Sequence, residues 1–256
     1  TEDVKIKLAA NIELSSAIEI NNTNGKSITI DGANGNGRYR LTISSSSRAI
    51  QVKQLSGNIT FQNMNIVHSG SQMLLCLGEN KYTEATTKEL TVKLVNMDIT
   101  STSTYQYCLM ATQDSGVFNI EMTNVDVDWN KATTISGGAF IRCGDSETKP
   151  QTVNFTATGC TIDVSDTKDA KGMHICGGVS GAFELKETDF ITPGAATAMY
   201  TNNGSATVTF DEDCTFTRVY KVDEAEEFTT AVTDAKTSTE DVKIKLAANI
   251  ELSSAI

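Results

Sequence analysis

The chain has 256 residues, a net charge of −11, 39% hydrophobic and 21% charged residues, two prolines and one tryptophan. Ser, Thr, Asn and Gly are abundant and Val and Ile recur in short runs, a composition that suits strands. The acidic balance argues against nucleic acid or an anionic membrane surface as partner, since both need concentrated Lys and Arg, and no apolar run nears the ~18 residues of a spanning helix.

Residues 1–18, TEDVKIKLAANIELSSAI, open the chain with short alternating segments and return letter for letter at residues 239–256. Identity that includes exposed positions, Lys5 and Lys7 matching Lys243 and Lys245, points to duplication at the gene level. An engineered extension or a circular permutation is the alternative. Further on, Asp31–Gly37 (DGANGNG) has the glycines of a phosphate loop. It lacks the Gly-Lys-Ser ending and a following helix, so a turn is expected there.

From Ile59 a shorter period takes over. Ile59–Ile66, Val92–Ile99 and Ile120–Val127 each read apolar-x-apolar-x-Asn-apolar-x-apolar. Weaker copies lie at Phe155–Ile162, with Gly159 at the Asn position, and at Phe183–Phe190; an irregular one runs from Val208 to Phe216. Alternation directs every second side chain to one face, and an Asn between two such runs suits a left-handed corner. A third strand per interval is expected at Ala49–Val52, Met73–Leu77, Tyr107–Ala111, Ala139–Cys143, Met173–Cys176 and Ala198–Tyr200, with variable polar loops at Glu79–Lys88 and Asp145–Gln151.

Three short strands, one constant corner and one variable loop per roughly 30 residues describe a coil of a parallel β-helix. The expected architecture is an all-β solenoid of about eight coils over residues 1–218. A β-sandwich would also alternate, but it would not hold the Asn corner in register and usually shows tighter hairpin signals. Asn63, Asn96 and Asn124 are expected to stack as a side-chain amide ladder along the axis. Cys76, Cys108, Cys143 and Cys176 recur about once per coil and are expected to stack as free, buried thiols; close Cys-x-x-Cys pairs of the zinc-binding kind are absent.

The Asn corner and strand rhythm resemble the right-handed, pectate-lyase-like β-helix found in tandem-repeat bacterial surface adhesins and fibres. In proteins of this type a short amphipathic helix commonly covers an open coil end. Val222–Lys236 is similar, with Ala225, Phe228, Ala231, Val232 and Ala235 at helical spacing, Asp223 as expected N-cap and Glu226 in the capping-box position. Residues 219–238 are therefore expected to form a junction and 239–256 the first strands of a following repeat. The natural unit would begin near Arg218 or Val219.

Catalytic chemistry is not expected. A lyase of this fold would need clustered carboxylates for calcium beside an Arg or Lys base, and only five arginines occur, Arg38, Arg40, Arg48, Arg142 and Arg218. Asp98, Asp126 and Asp189 align one per coil, as an acidic strip able to meet a cation or, more ordinarily, as solvated strand residues. His68 and His174 stand in unlike contexts, and a Cys–His pair of His174 with Cys143 or Cys176 is the remaining nucleophilic candidate. Four Asn-x-Ser/Thr sequons, at Asn21, Asn58, Asn154 and Asn203, follow from composition. The sequence thus reads as a non-enzymatic, extracellular or cell-surface repeat, without cofactor or metal. Its expected partners are neighbouring copies, head to tail, and a surface glycan or host ligand. A polysaccharide-binding or polysaccharide-cleaving β-helix is the alternative.

Overall fold

The computed structural model describes residues 3–21, 26–53, 57–78, 89–130, 138–144, 150–167, 170–196 and 198–252. The expected loops at 79–88 and 145–149 lie outside them, as do residues 253–256. The chain folds as an all-β parallel solenoid of about 8 turns, with one short helix among the described residues.

Each turn has three sides. The first coil holds β1 (Val4–Lys7), β2 (Ile12–Leu14) and β3 (Ile18–Ile20), and the second β4 (Ile28–Asp31), β5 (Tyr39–Ile43) and β6 (Ile50–Val52). In the next three coils the first two sides fuse into one long bent strand. These are β7 (Gly57–His68) with β8 (Leu75–Leu77), β9 (Glu89–Ser101) with β10 (Cys108–Thr112), and β11 (Gly116–Trp129) with β12 (Ala139–Cys143). The sixth coil separates them again as β13 (Gln151–Thr158), β14 (Thr161–Asp163) and β15 (Lys171–Ile175). The seventh comprises β16 (Val179–Ser180), β17 (Ala182–Lys186), β18 (Asp189–Pro193) and β19 (Tyr200–Asn202). The eighth has β20 (Thr207–Phe210) and the long β21 (Thr215–Val222), before α1 (Ala225–Thr237) and β22 (Asp241–Leu246).

Every strand pairs in parallel with its equivalent one coil away. Gln62 lies beside Val95 and Met64 beside Met97, so Asn63 faces Asn96 across the ladder, and Asn124 follows by the same register. Apolar residues at alternate positions then form continuous columns inside the rod. One runs Ile28, Ile59, Val92, Ile120, Phe155, Phe183, Val208. Phe61, Phe118, Phe140, Phe155, Phe183, Phe190 and Trp129 are fully buried inside the rod, and the Phe155 and Phe183 rings meet at a tilt with centroids 5.9 Å apart. Parallel strands that bury one face in this way need no hairpins, which is why the turn signals are sparse.

The glycine-rich Asp31–Gly37 segment is a turn: the Asn34 N–H donates to the Gly37 carbonyl, Gly35 has φ +81°, and Ala33 bridges to Arg38. The third-side strands fall within about two residues of expectation. The helix starts one residue later than its capping pattern implied. Glu224, not Asp223, is the N-cap and makes no side-chain cap bond; the Asp223 N–H instead donates to the Glu227 carboxylate, so the reciprocal contact comes from Glu227 and not Glu226. Two adjacent acidic residues fit either register, and Ala231 is the buried residue of the helix.

Candidate functional site

The corner is the most regular chemical feature of the rod. Asn63, Asn96 and Asn124 adopt φ of 52°, 51° and 51°, followed in the same column by Gly159 at 62° and Glu187 at 48°. An L-residue there sets its Cβ against the following carbonyl, and Asn offsets that strain with local hydrogen bonds. The Asn124 amide Nδ2 donates to Asn96 Oδ1 at 3.1 Å, and Asn96 Nδ2 donates to Asn63 Oδ1 at 3.2 Å. Asn63 Nδ2 then donates to Asp31 Oδ1 at 3.1 Å. Every amide donates in the same direction and the run ends on a carboxylate, so successive dipoles reinforce one another. Asp31 is buried, which opposes its charge, but the Asn63 amide, the Ala33 N–H, Lys5 and Gln62 together hold its carboxyl well below the usual range. Lys5 Nζ lies 3.1 Å from Asp31 Oδ2, which ties the ladder to β1. At the opposite end Asp211 accepts the Glu187 N–H.

A second amide run escaped the sequence reading. Asn154 Nδ2 donates to Asn119 Oδ1 at 2.9 Å, and Asn119 Nδ2 donates to Glu89. Asn58, Thr91, Asn119 and Asn154 share one column of the first side. Their spacing matches that of the corner residues, but Thr at one coil hides the pattern.

The cysteines do not form one column. Cys76 and Cys108 pack with Met73 and Ala111 in a small separate cluster, whereas Cys143 and Cys176 belong to the main core. In register Cys76 faces Ala111, Cys108 faces Ala139, and Cys143 faces Thr112, so equal spacing along the chain hides different positions within the coil. All six are free thiols. Burial pushes Cys76 and Cys108 up to about 12, and raises Cys143 as well. None of these three is a thiolate near neutral pH. His174 sits beside Arg142 in the column between the inward residues, while Cys143 points into the core on the next position. The strand's alternation keeps the two apart. His68 is fully buried, with Nδ1 3.0 Å from Ser101 Oγ and, among the described residues, no partner for Nε2; burial holds it down to about 4.

Asp98, Asp126 and Asp189 lie in one second-side column, with Thr161 between Asp126 and Asp189. Asp98 is held by Arg38 at 2.8 Å and Asp189 accepts from Thr215. Among the described residues no group of three His, Cys, Asp or Glu side chains is placed to hold a metal ion. A polar recess of about 350 Å³ opens on the third side, lined by Arg48, Tyr105, Tyr107, Gln113 and Arg142. The Arg142 guanidinium stands 5.5 Å from the Tyr107 ring centroid. No helix among the described residues is long and apolar enough to cross a membrane.

The remaining site is the end of the rod. β22 extends the β21 edge in parallel, Thr217 beside Asp241 through Val222 beside Leu246. α1 packs on both strands, and the Tyr220 hydroxyl donates to Asp234 of the helix at 2.9 Å. Arg218 pairs with Glu240 and Lys221 with Asp166. A groove of about 580 Å³ runs between α1 and the last coils, lined by Asp166, Tyr220, Lys221, Glu227 and Asp234. Comparisons with family models, characterised proteins and solved structures return no match.

Proposed function

We propose that this chain is a structural repeat of an extended, extracellular β-helical fibre or adhesin stalk of the right-handed, pectate-lyase-like type, without enzymatic activity. One observation carries the reading: the segment that begins the first coil also recurs as the strand that continues the last one. A solenoid whose opening strand is also its continuation has no natural end. Length and stiffness then follow by addition, since each coil contacts only its neighbours. The cross-coil amide runs and buried thiols serve that role, because they stiffen the corner and keep reactive groups out of solvent.

Proteins containing one, two and four consecutive copies of residues 1–238, each followed by residues 239–256, test this by small-angle scattering. At ~4.8 Å per coil, each added unit should lengthen the particle by ~40 Å with unchanged cross-section. Beads joined by flexible connections would contradict the fibre, as would turnover of acidic or neutral glycans with or without calcium.

A second reading, binding of an acidic polysaccharide, is favoured by the recess of Arg48, Arg142, Tyr105 and Tyr107 on a chain of net charge −11. Guanidinium groups suit carboxylate or sulfate, and tyrosine faces suit sugar rings. Binding of a uronate oligosaccharide that is lost on Arg48→Ala would support it; binding unchanged by that substitution would not.

A further inference from the structure

The duplicated segment is present twice in one chain, in two different surroundings, and the two are complementary. In the first copy Val4 and Leu8 donate their N–H groups to the Ser27 and Asp31 carbonyls, towards β4. In the second copy the donor is Ala247, the equivalent of Ala9, and its N–H goes to the Val222 carbonyl of β21. Successive N–H groups of a strand point to opposite edges. The two copies therefore use opposite edges of the same strand, and one strand can satisfy both at once.

Their apolar faces complement each other in the same way. Val4 and Ile6 are 44% and 46% exposed, while their equivalents Val242 and Ile244 are part-buried on the side covered by α1. Conversely, Leu246 and Leu252 are 64% and 45% exposed, while Leu8 and Leu14 are part-buried under the first coils. Ile12–Leu14 form β2 by pairing with Leu41–Ile43, whereas Ile250–Leu252 have no such ladder. What one copy leaves bare, the other covers.

We infer that the outer edge of β1 is a docking surface for the β21 edge and α1 of a second copy of this chain, and that residues 239–252 hold that β21 edge in cis and so act as its cap. This rests on the reading of the chain as a fibre repeat and adds that the junction assembles without a covalent link. The register follows from the bound copy: Arg218 opposite Val4, Tyr220 opposite Ile6 and Val222 opposite Leu8. Val4 and Ile6 then slide under α1 of the preceding copy. An intramolecular strand has a large effective concentration, so the intact chain should keep its own cap and stay monomeric. Removal of the cap exposes the edge, and an open edge pairs.

The experiment is sedimentation of the intact chain and of a chain ending at Ser238, with folding checked by circular dichroism. The intact chain should sediment as one species of 27.5 kDa. The shortened chain should at least double its weight-average mass as concentration rises. A peptide of residues 239–252 should return it to monomer, and so should Val4→Asp with Ile6→Asp, positions whose exposure leaves the fold intact. A folded, shortened chain that stays monomeric would overturn the inference, as would association indifferent to both the peptide and the β1 substitutions. If the shortened chain does not fold, the full chain carrying Val242→Asp and Ile244→Asp takes its place. Loosening its cap should let it bind a labelled peptide of residues 1–14 that the unaltered chain excludes; equal binding by both, or by neither, refutes the proposal. Rod-like tandem proteins with no association in trans would sink this inference alone, whereas jointed tandem proteins would sink the fibre reading beneath it.

Discussion

Replacing Asn96 separates the two energies that hold the corner. Its side chain donates to Asn63 and accepts from Asn124, at 3.2 and 3.1 Å. One bond is part-buried and the other exposed, so their joint net worth is ~1 kcal/mol, at the low end for two amide bonds. Its backbone sits at φ 51°, where a residue with Cβ and no compensating side chain costs a further ~1–2 kcal/mol. Asn96→Gly removes the bonds but relieves the backbone, apart from glycine's extra chain entropy of ~0.5–1 kcal/mol. Asn96→Ala removes the bonds and keeps the strain. Urea unfolding should therefore give a loss of ~2–3 kcal/mol for Asn96→Ala, with Asn96→Gly the milder change. A larger loss for Asn96→Gly than for Asn96→Ala would show that the positive φ is not strained, and two variants as stable as the unaltered chain would show that the amide run contributes nothing.

Other consequences can be read by simple assays. His68 is neutral in the fold, held to about 4 against a usual value of 6.5. Its stabilisation is complete above pH 6.5 and is lost as pH falls towards 4; lowering pH from 7 to 5 should cost ~2 kcal/mol. His68→Gln should flatten that part of the stability profile, and an unchanged slope would rule His68 out as its source. The buried thiols of Cys76, Cys108 and Cys143 should resist an alkylating reagent at pH 8 until denaturant is added, with part-buried Cys214 labelled first; mass spectrometry reads the order. Gly181 has φ +114°, and an added Cβ would lie 2.2 Å from the Val153 carbonyl oxygen. Gly181→Ala should destabilise by at least ~2 kcal/mol, and a neutral result would mean that β16 and β17 shift freely.

The solenoid was legible because its determinants are local and repeated. A period-two pattern around Asn63, Asn96 and Asn124 specifies a bent strand, and repetition supplies the stacking. The cysteines show the limit of spacing as a guide. Loops of unequal length let residues a coil apart in sequence land on different columns, as Cys76 and Cys108 do. The helix was visible from its apolar spacing, but its cap was not, because Glu226 and Glu227 compete for one reciprocal bond. The burial of His68 against Ser101 depends on two residues in neighbouring coils, and neither stands out alone. The complementarity of the two copies was out of reach of sequence reading. Identity says that the segments are the same, but only the structure shows that they bond through opposite edges.

The measurement closest to the central claim is residue-resolved hydrogen exchange at the repeated strand, compared between this chain and a protein with two consecutive copies of residues 1–238. In the single chain, Val4 and Leu8 should be protected while Lys5, Lys7 and Ala9, facing the bare edge, exchange fast. At the other end Ala247 should be protected and Val242 and Leu246 fast. At the internal junction of the double protein, both alternating sets should become slow together. Fast exchange at either set there would contradict a continuous solenoid.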